Sequence, residues 1–191
     1  MALKSTEQRW GTLAKSFHWL MALGIIGAGG LGLFMTGMDR GMDKLNVYAL
    51  HKSIGLTVLA LFLLRVLWRF VDRRPVDEPM PRIQRIGAHA VHGVLYLFML
   101  AMPLSGWLYN SASGFPLQWF KAFNLPALVG KNEALAELAI DAHELMFWML
   151  VGVFVAHVGG ALFHHFFERD NTLLRMLPFA RLRSDRKGNH P

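Results

Sequence analysis

The chain has 191 residues, of which 53% are hydrophobic and 17% charged, with a net charge of +7 and a mean hydropathy of +0.31. A soluble domain carries about a quarter charged residues, so a water-soluble globule is excluded. The 14 Phe and 6 Trp exclude a disordered polymer, which cannot keep so much apolar surface solvated. The chain has no cysteine, so disulfides, thiolate metal sites, iron–sulfur ligation and cysteine nucleophiles are all ruled out. Nucleic acid is not an expected partner either, because the 20 Lys and Arg would have to line a solvated face and most of this chain is not solvated.

Four apolar stretches predict an all-α, integral membrane four-helix bundle, with helices at about 17–38, 47–70, 88–109 and 140–167. Crossing ~30 Å of hydrocarbon takes about 20 mainly apolar residues, and each stretch is long enough. Buried helices of a soluble bundle would show a polar face each turn, whereas Val58 to Leu64 and Met146 to Ala156 show none. The first stretch lacks a small-residue cleavage site and is read as a retained helix, not a signal peptide. No internal repeat is present, and residues 1–180 are read as one domain.

Orientation follows from the placement of Lys and Arg in the connections. The N-terminal tail, the loop between the second and third helices and the C-terminal tail carry 13 of them, against 4 in the other two connections. Both termini are therefore expected in the cytoplasm, with the chain multi-pass in its membrane. The connection 110–139 holds Phe115, Trp119, Phe120 and Phe123 and then an amphipathic stretch, Asn132 to Ala139, which suits the lipid headgroup level. After the fourth helix, Asp170-Asn171-Thr172 can cap a short interfacial helix that Pro178 ends, and 181–191 reads as a solvated basic tail near anionic lipid.

Ionisable residues inside spanning helices are costly and face the bundle interior, which makes each a functional candidate. His143 and His157 lie fourteen residues apart on the fourth helix. At about 100° and 1.5 Å per residue they share one face, about 21 Å apart along the axis. The matching depths on facing helices are filled by His51 and by His18. Two pairs, His51 with His143 and His18 with His157, would each grip an iron porphyrin between helices. Bis-imidazole ligation fills both axial positions and favours electron transfer over oxygen binding. A single zinc site is excluded by the ~21 Å separation; hydrogen-bonded packing residues or a proton relay remain the competing uses. Glycines at 24, 27, 29, 30, 32, 55, 152, 159 and 160 offer a macrocycle room beside the backbone, although small residues also serve plain helix packing.

Arg65 follows His51 by the same fourteen residues and should project inward at the cytoplasmic haem level, toward a haem propionate or a quinone; snorkelling to the interface is its alternative use. Arg69, one turn on, fits an interface anchor equally well. His89 and His92 start the third helix, and His164 and His165 end the fourth, on the cytoplasmic side. They are either polar residues at headgroup level or the lining of a quinone site that delivers protons, with His92 and His164 the leading candidates.

With the histidines placed, the pattern resembles the bacterial cytochrome b561 family of four-helix dihaem membrane proteins. The matching pieces are Ser16-Phe17-His18-Trp19-Leu20, Leu50-His51-Lys52-Ser53-Ile54-Gly55, Ala88-His89-Ala90-Val91-His92-Gly93, the spaced His143 and His157, and the run His164 to Met176. The likeness covers about residues 10–178, and within the family it is to the free-standing superoxide oxidases. It implies two haem b groups on His18, His51, His143 and His157, superoxide oxidised at the periplasmic face, and ubiquinone reduced near the cytoplasmic face. Related subunits of the family take electrons from a hydrogenase or dehydrogenase, so an electron-transfer anchor with a redox partner protein is the alternative that the resemblance leaves open. An external positive mouth of Lys52, Arg40, Lys44, Lys121 and Lys131 would steer superoxide inward. Asp39, Asp43, Glu133, Glu137, Asp141 and Glu144 oppose that field.

Overall fold

The structure, a computed structural model, describes residues 2–183. Four long helices dominate it: α1 (Thr12–Thr36), α2 (Met42–Val71), α3 (Arg82–Ala112) and α4 (Glu133–Phe163). All four are long and apolar enough to cross a membrane. Each begins before its apolar stretch, because backbone hydrogen bonding continues into the polar flanks: even 25 residues reach about 38 Å, more than the hydrocarbon thickness. The amphipathic stretch 132–139 is accordingly the first turns of α4, not a separate segment. Asn132 caps it, its side chain accepting from Leu135 N at 3.0 Å. Within α3, Pro103 withholds an N–H from the carbonyl of Met99, a defect that membrane helices tolerate.

The connection 113–132 holds a feature that the aromatic pattern did not predict. Strands β1 (Leu117–Trp119) and β2 (Phe123–Leu125) form an antiparallel hairpin, with Leu117 opposite Leu125 and Trp119 opposite Phe123. The hairpin leans on α2. Trp119 Nε1 donates to Thr57 Oγ1 at 3.0 Å and Phe120 N to Ser53 Oγ at 2.9 Å, while Ser53 itself is buried. Phe120 and Lys121 sit in the left-handed region, which makes the turn between the strands tight.

α4 also ends differently from its apolar pattern. His164–Glu168 widen into one π-helical turn, closed by Arg169 at φ 56° and by Asp170 N donating to His164 O. The short helix α5 (Thr172–Met176) follows, and Asp170, one residue before its N-cap Asn171, accepts from Thr172 N through Oδ1 at 2.8 Å. Past the exposed Arg181, the described part of the tail folds back onto the bundle. Leu182 is buried, Arg183 N donates to Asn171 Oδ1, and Arg183 Nη2 donates to His165 O at 3.1 Å. The expectations placed on Arg186, Lys187 and His190 lie outside the described residues.

α1 packs along α2 and α3 along α4, and these two helical pairs meet chiefly through α2 and α3. The first and last described segments of the chain close the same end of the bundle. Ser5 N and Oγ donate to the Asp72 carboxylate, Val76 N to Glu7 O, Lys15 Nζ to Leu177 O and Trp19 Nε1 to Met176 O, and Arg175 pairs with Glu78 at 2.9 Å. This is the termini-bearing end; the opposite one is the hairpin end.

Candidate functional site

Four helical histidines meet in two pairs. Toward the hairpin end, His51 of α2 faces His143 of α4 with ring centroids 6.2 Å apart. Toward the termini-bearing end, His18 of α1 faces His157 of α4 at 6.1 Å. Each pair therefore reaches from one packed helical pair to the other. Two metal–imidazole bonds of about 2.0 Å, plus about 1.1 Å from each nitrogen to its ring centre, put the centroids of a bis-imidazole metal site about 6 Å apart. The ring planes cross at 75° and 57°.

The hairpin-end pair is held by backbone. His51 Nδ1 donates to Ala28 O at 2.9 Å across α1. His143 Nδ1–H is shared between Met102 O at 3.1 Å and Ser105 Oγ at 2.9 Å on α3, and the Ser105 hydroxyl donates in turn to Met102 O. Both bonds fix the tautomer that leaves Nε2 as the free donor atom, as in metal-ligating histidines generally. Glycine permits the approach. A Cβ at Gly32 would stand 3.4 Å from His51 Cε1, and one at Gly106 would stand 3.3 Å from His143 Cε1. Beside His51, the half-buried Lys52 ammonium donates to Asn110 Oδ1 at 3.0 Å, and buried Asn110 donates to Phe115 O.

The termini-end pair has different neighbours. Among the described residues neither ring nitrogen of His18 or His157 has a hydrogen-bond partner. Trp19 meets His18 edge-on at 5.2 Å, and His92 meets His157 edge-on at 5.2 Å. His92 thus lies beside His157. Arg65 Nε donates to Tyr96 Oη at 3.3 Å, with its guanidinium 5.9 Å from the centre of that ring. Arg69 rests over the Trp10 ring at 5.3 Å.

The remaining rim histidines are separated from this cluster. His164 Nδ1 donates to Asp170 Oδ2 at 2.6 Å, with both side chains largely buried. His89 turns outward and stands 3.7 Å from the exposed carboxylate of Asp77. His165 Nδ1 is buried with no partner among the described residues. Of the glycines singled out from the sequence, Gly24 abuts Val58 and Gly29 abuts Phe147, so these two serve close helix contact. Sequence reasoning missed Ser105, Gly106 and the Met102 carbonyl. The Pro103-x-Ser105-Gly106 break in an otherwise apolar run was the available signal.

A sequence profile of the family described as prokaryotic cytochrome b561 matches residues 9–179. The chain belongs to that family. It is therefore a membrane protein of haem-based electron transfer, and b-type haem is the cofactor that the family implies. The donor set fits that group: imidazoles in facing pairs at bis-ligation distance, two of them with Nδ1 bonded to a backbone carbonyl and Nε2 free. Among similar proteins, "Cytochrome b561 homolog 2" of Escherichia coli K12 is 37% identical over 183 residues, covering 93% of this chain and 95% of that protein. "Cytochrome b561 homolog 1" of the same organism is 38% identical over 133 residues, covering 67% and 73%. "Probable superoxide oxidase CybB" of Yersinia pestis is 32% identical over 180 residues, covering 92% and 99%.

Proposed function

We propose that this member of the cytochrome b561 family is a superoxide:ubiquinone oxidoreductase of the bacterial inner membrane, multi-pass, with both termini cytoplasmic and two haem b groups. The observation that carries the reading is the pair of facing imidazole couples, at 6.2 Å and 6.1 Å, near opposite ends of one bundle. The about 21 Å between their α4 members suits two cofactors in series rather than one metal centre. The superoxide assignment draws on the printed name of the Yersinia pestis relative, which aligns over 92% of this chain.

In the proposed reaction two superoxide anions each lose one electron and leave as dioxygen, while one ubiquinone gains two electrons and two protons. When bound, the haem groups supply one-electron carriers between the two faces. His51 and His143 hold the periplasmic carrier, and His18 and His157 hold the cytoplasmic one. Lys52, fixed by Asn110, places a positive charge beside His51 that raises the encounter rate of a small anion. Lys131 contributes less to that field, since Glu133 lies 3.7 Å away.

At the cytoplasmic end Arg65 orients a haem propionate or the quinone, and the titratable groups deliver protons. His164 is the leading donor. Its Nδ1–H is committed to Asp170, so the proton passed to a quinone oxygen is the one that the doubly protonated ring carries on Nε2, which is then replaced from the cytoplasm. His92 stands one ring away from His157 and provides a second proton position.

The test is stopped-flow mixing of superoxide with the purified protein and a ubiquinone analogue. Rapid reduction of the b-haem absorbance and stoichiometric quinol formation are expected. Absence of both, together with copurification of a dehydrogenase or hydrogenase, would instead establish an electron-transfer anchor.

A further inference from the structure

The two imidazole pairs differ in what their outer nitrogens touch, and that difference bears on which way an electron runs. A hydrogen bond from Nδ1–H to a carbonyl raises the basicity of the imidazole. A more basic axial ligand favours the oxidised iron and lowers its potential. Both hairpin-end histidines carry such a bond, to Ala28 O and to Met102 O with Ser105 Oγ. Among the described residues neither termini-end histidine does. A nearby cation acts in the opposite sense, because it favours the form that carries one more electron. Cations stand at both ends, Arg65 held by Tyr96 at the termini-bearing end and Lys52 held by Asn110 beside His51, so the hydrogen bonds on the outer nitrogens decide the order.

We infer that the His51–His143 site holds the lower-potential haem and the His18–His157 site the higher, with the order set by the hydrogen bonds on His51 and His143 that Ser105, Gly32 and Gly106 support, while Arg65 keeps the higher site raised. These four act as positioning and electrostatic residues, not as ligands. The fold then makes transfer from the hairpin end to the termini-bearing end downhill, whatever the physiological donor. The inference rests on the dihaem reading proposed above.

The experiment is a potentiometric titration of the purified protein, followed in the haem α-band, for the native chain and three variants. Two one-electron waves are expected. Arg65→Gln should shift only the higher wave downward, by about tenfold in the reduction equilibrium, or about 59 mV for one electron. Gly106→Ala crowds His143 and loosens its bond to Met102, so it should shift only the lower wave upward, by about threefold, or about 28 mV. Ser105→Ala adds no bulk, should move the same lower wave in the same direction, and serves where Gly106→Ala fails to fold. If Arg65→Gln moves the lower wave, if the Ser105 or Gly106 variant moves the higher one, or if neither wave moves, the assigned order is wrong. A pyridine haemochrome count accompanies each titration. Fewer than two haems in the native chain would refute the dihaem reading itself, whereas two haems with the wrong variant response would refute only the order.

Discussion

The hairpin end and the termini-bearing end of this bundle are built from the same pair of imidazoles and from opposite surroundings. At the hairpin end, backbone does the holding: carbonyls of Ala28 and Met102 grip the rings, and Gly32 and Gly106 let the helices come close enough to do so. At the termini-bearing end, side chains surround the pair. His92 and Trp19 lie beside it, Arg65 is held on Tyr96, His164 is paired with Asp170 nearby in sequence, and three separate chain segments interlock over that end. Under the proposed function the contrast has a simple reason. A site that accepts only an electron needs a fixed cage with nothing to titrate, and a site that joins electrons to protons needs titratable groups within reach.

The largest effect should come from removing one ligand at either end. His143→Ala and His157→Ala should each retain one haem of two, by pyridine haemochrome, and lose different components of the reduced-minus-oxidised spectrum. Loss of both haems, or of neither, from a folded variant would break the pairing on which the comparison rests. Next in size is Asp170→Asn, which leaves His164 without its carboxylate partner. Ubiquinone reduction should slow by about tenfold to hundredfold while haem content and the initial reduction by superoxide stay as in the native chain. Slowing of the superoxide step instead would mean that proton chemistry is not confined to the termini-bearing end.

Lys52→Met should act at the opposite end and more gently. The second-order rate with superoxide should fall by about threefold to tenfold and lose most of its dependence on ionic strength, with quinone reduction unaffected once electrons are inside. The smallest effect belongs to Trp119→Phe. It removes one hydrogen bond from the hairpin to Thr57 and should lower stability by about 1 kcal/mol, read as a small drop in melting temperature with unchanged haem spectra.

Much of this architecture is legible in the amino-acid sequence because the bilayer enforces it. Uninterrupted apolar length marks the four helices, and fourteen-residue spacing puts His143 and His157 on one face and at two depths. His18 and His51 follow as the residues at matching depths. The grips on His51 and His143 were not legible, because a backbone carbonyl has no sequence signature and Ser105-Gly106 reads as ordinary membrane-helix packing. The hairpin escaped notice for a related reason: three-residue strands are too short to show alternation, and Trp119, Phe120 and Phe123 look like an interfacial belt. The π-helical turn at His164–Glu168 shares the composition of the helix it ends, so only the backbone reveals it. Sequence spacing assigned His92 and His164 to one rim; in the structure His92 joins His157 while His164 turns to Asp170.

Everything proposed for the two ends depends on each imidazole pair holding its own haem. The most direct measurement is haem b per chain in the purified native protein, by pyridine haemochrome, with electron paramagnetic resonance of the oxidised form. The account predicts two haems per chain, giving two distinct low-spin bis-imidazole signals. A single haem, or a high-spin five-coordinate signal at either site, would contradict it.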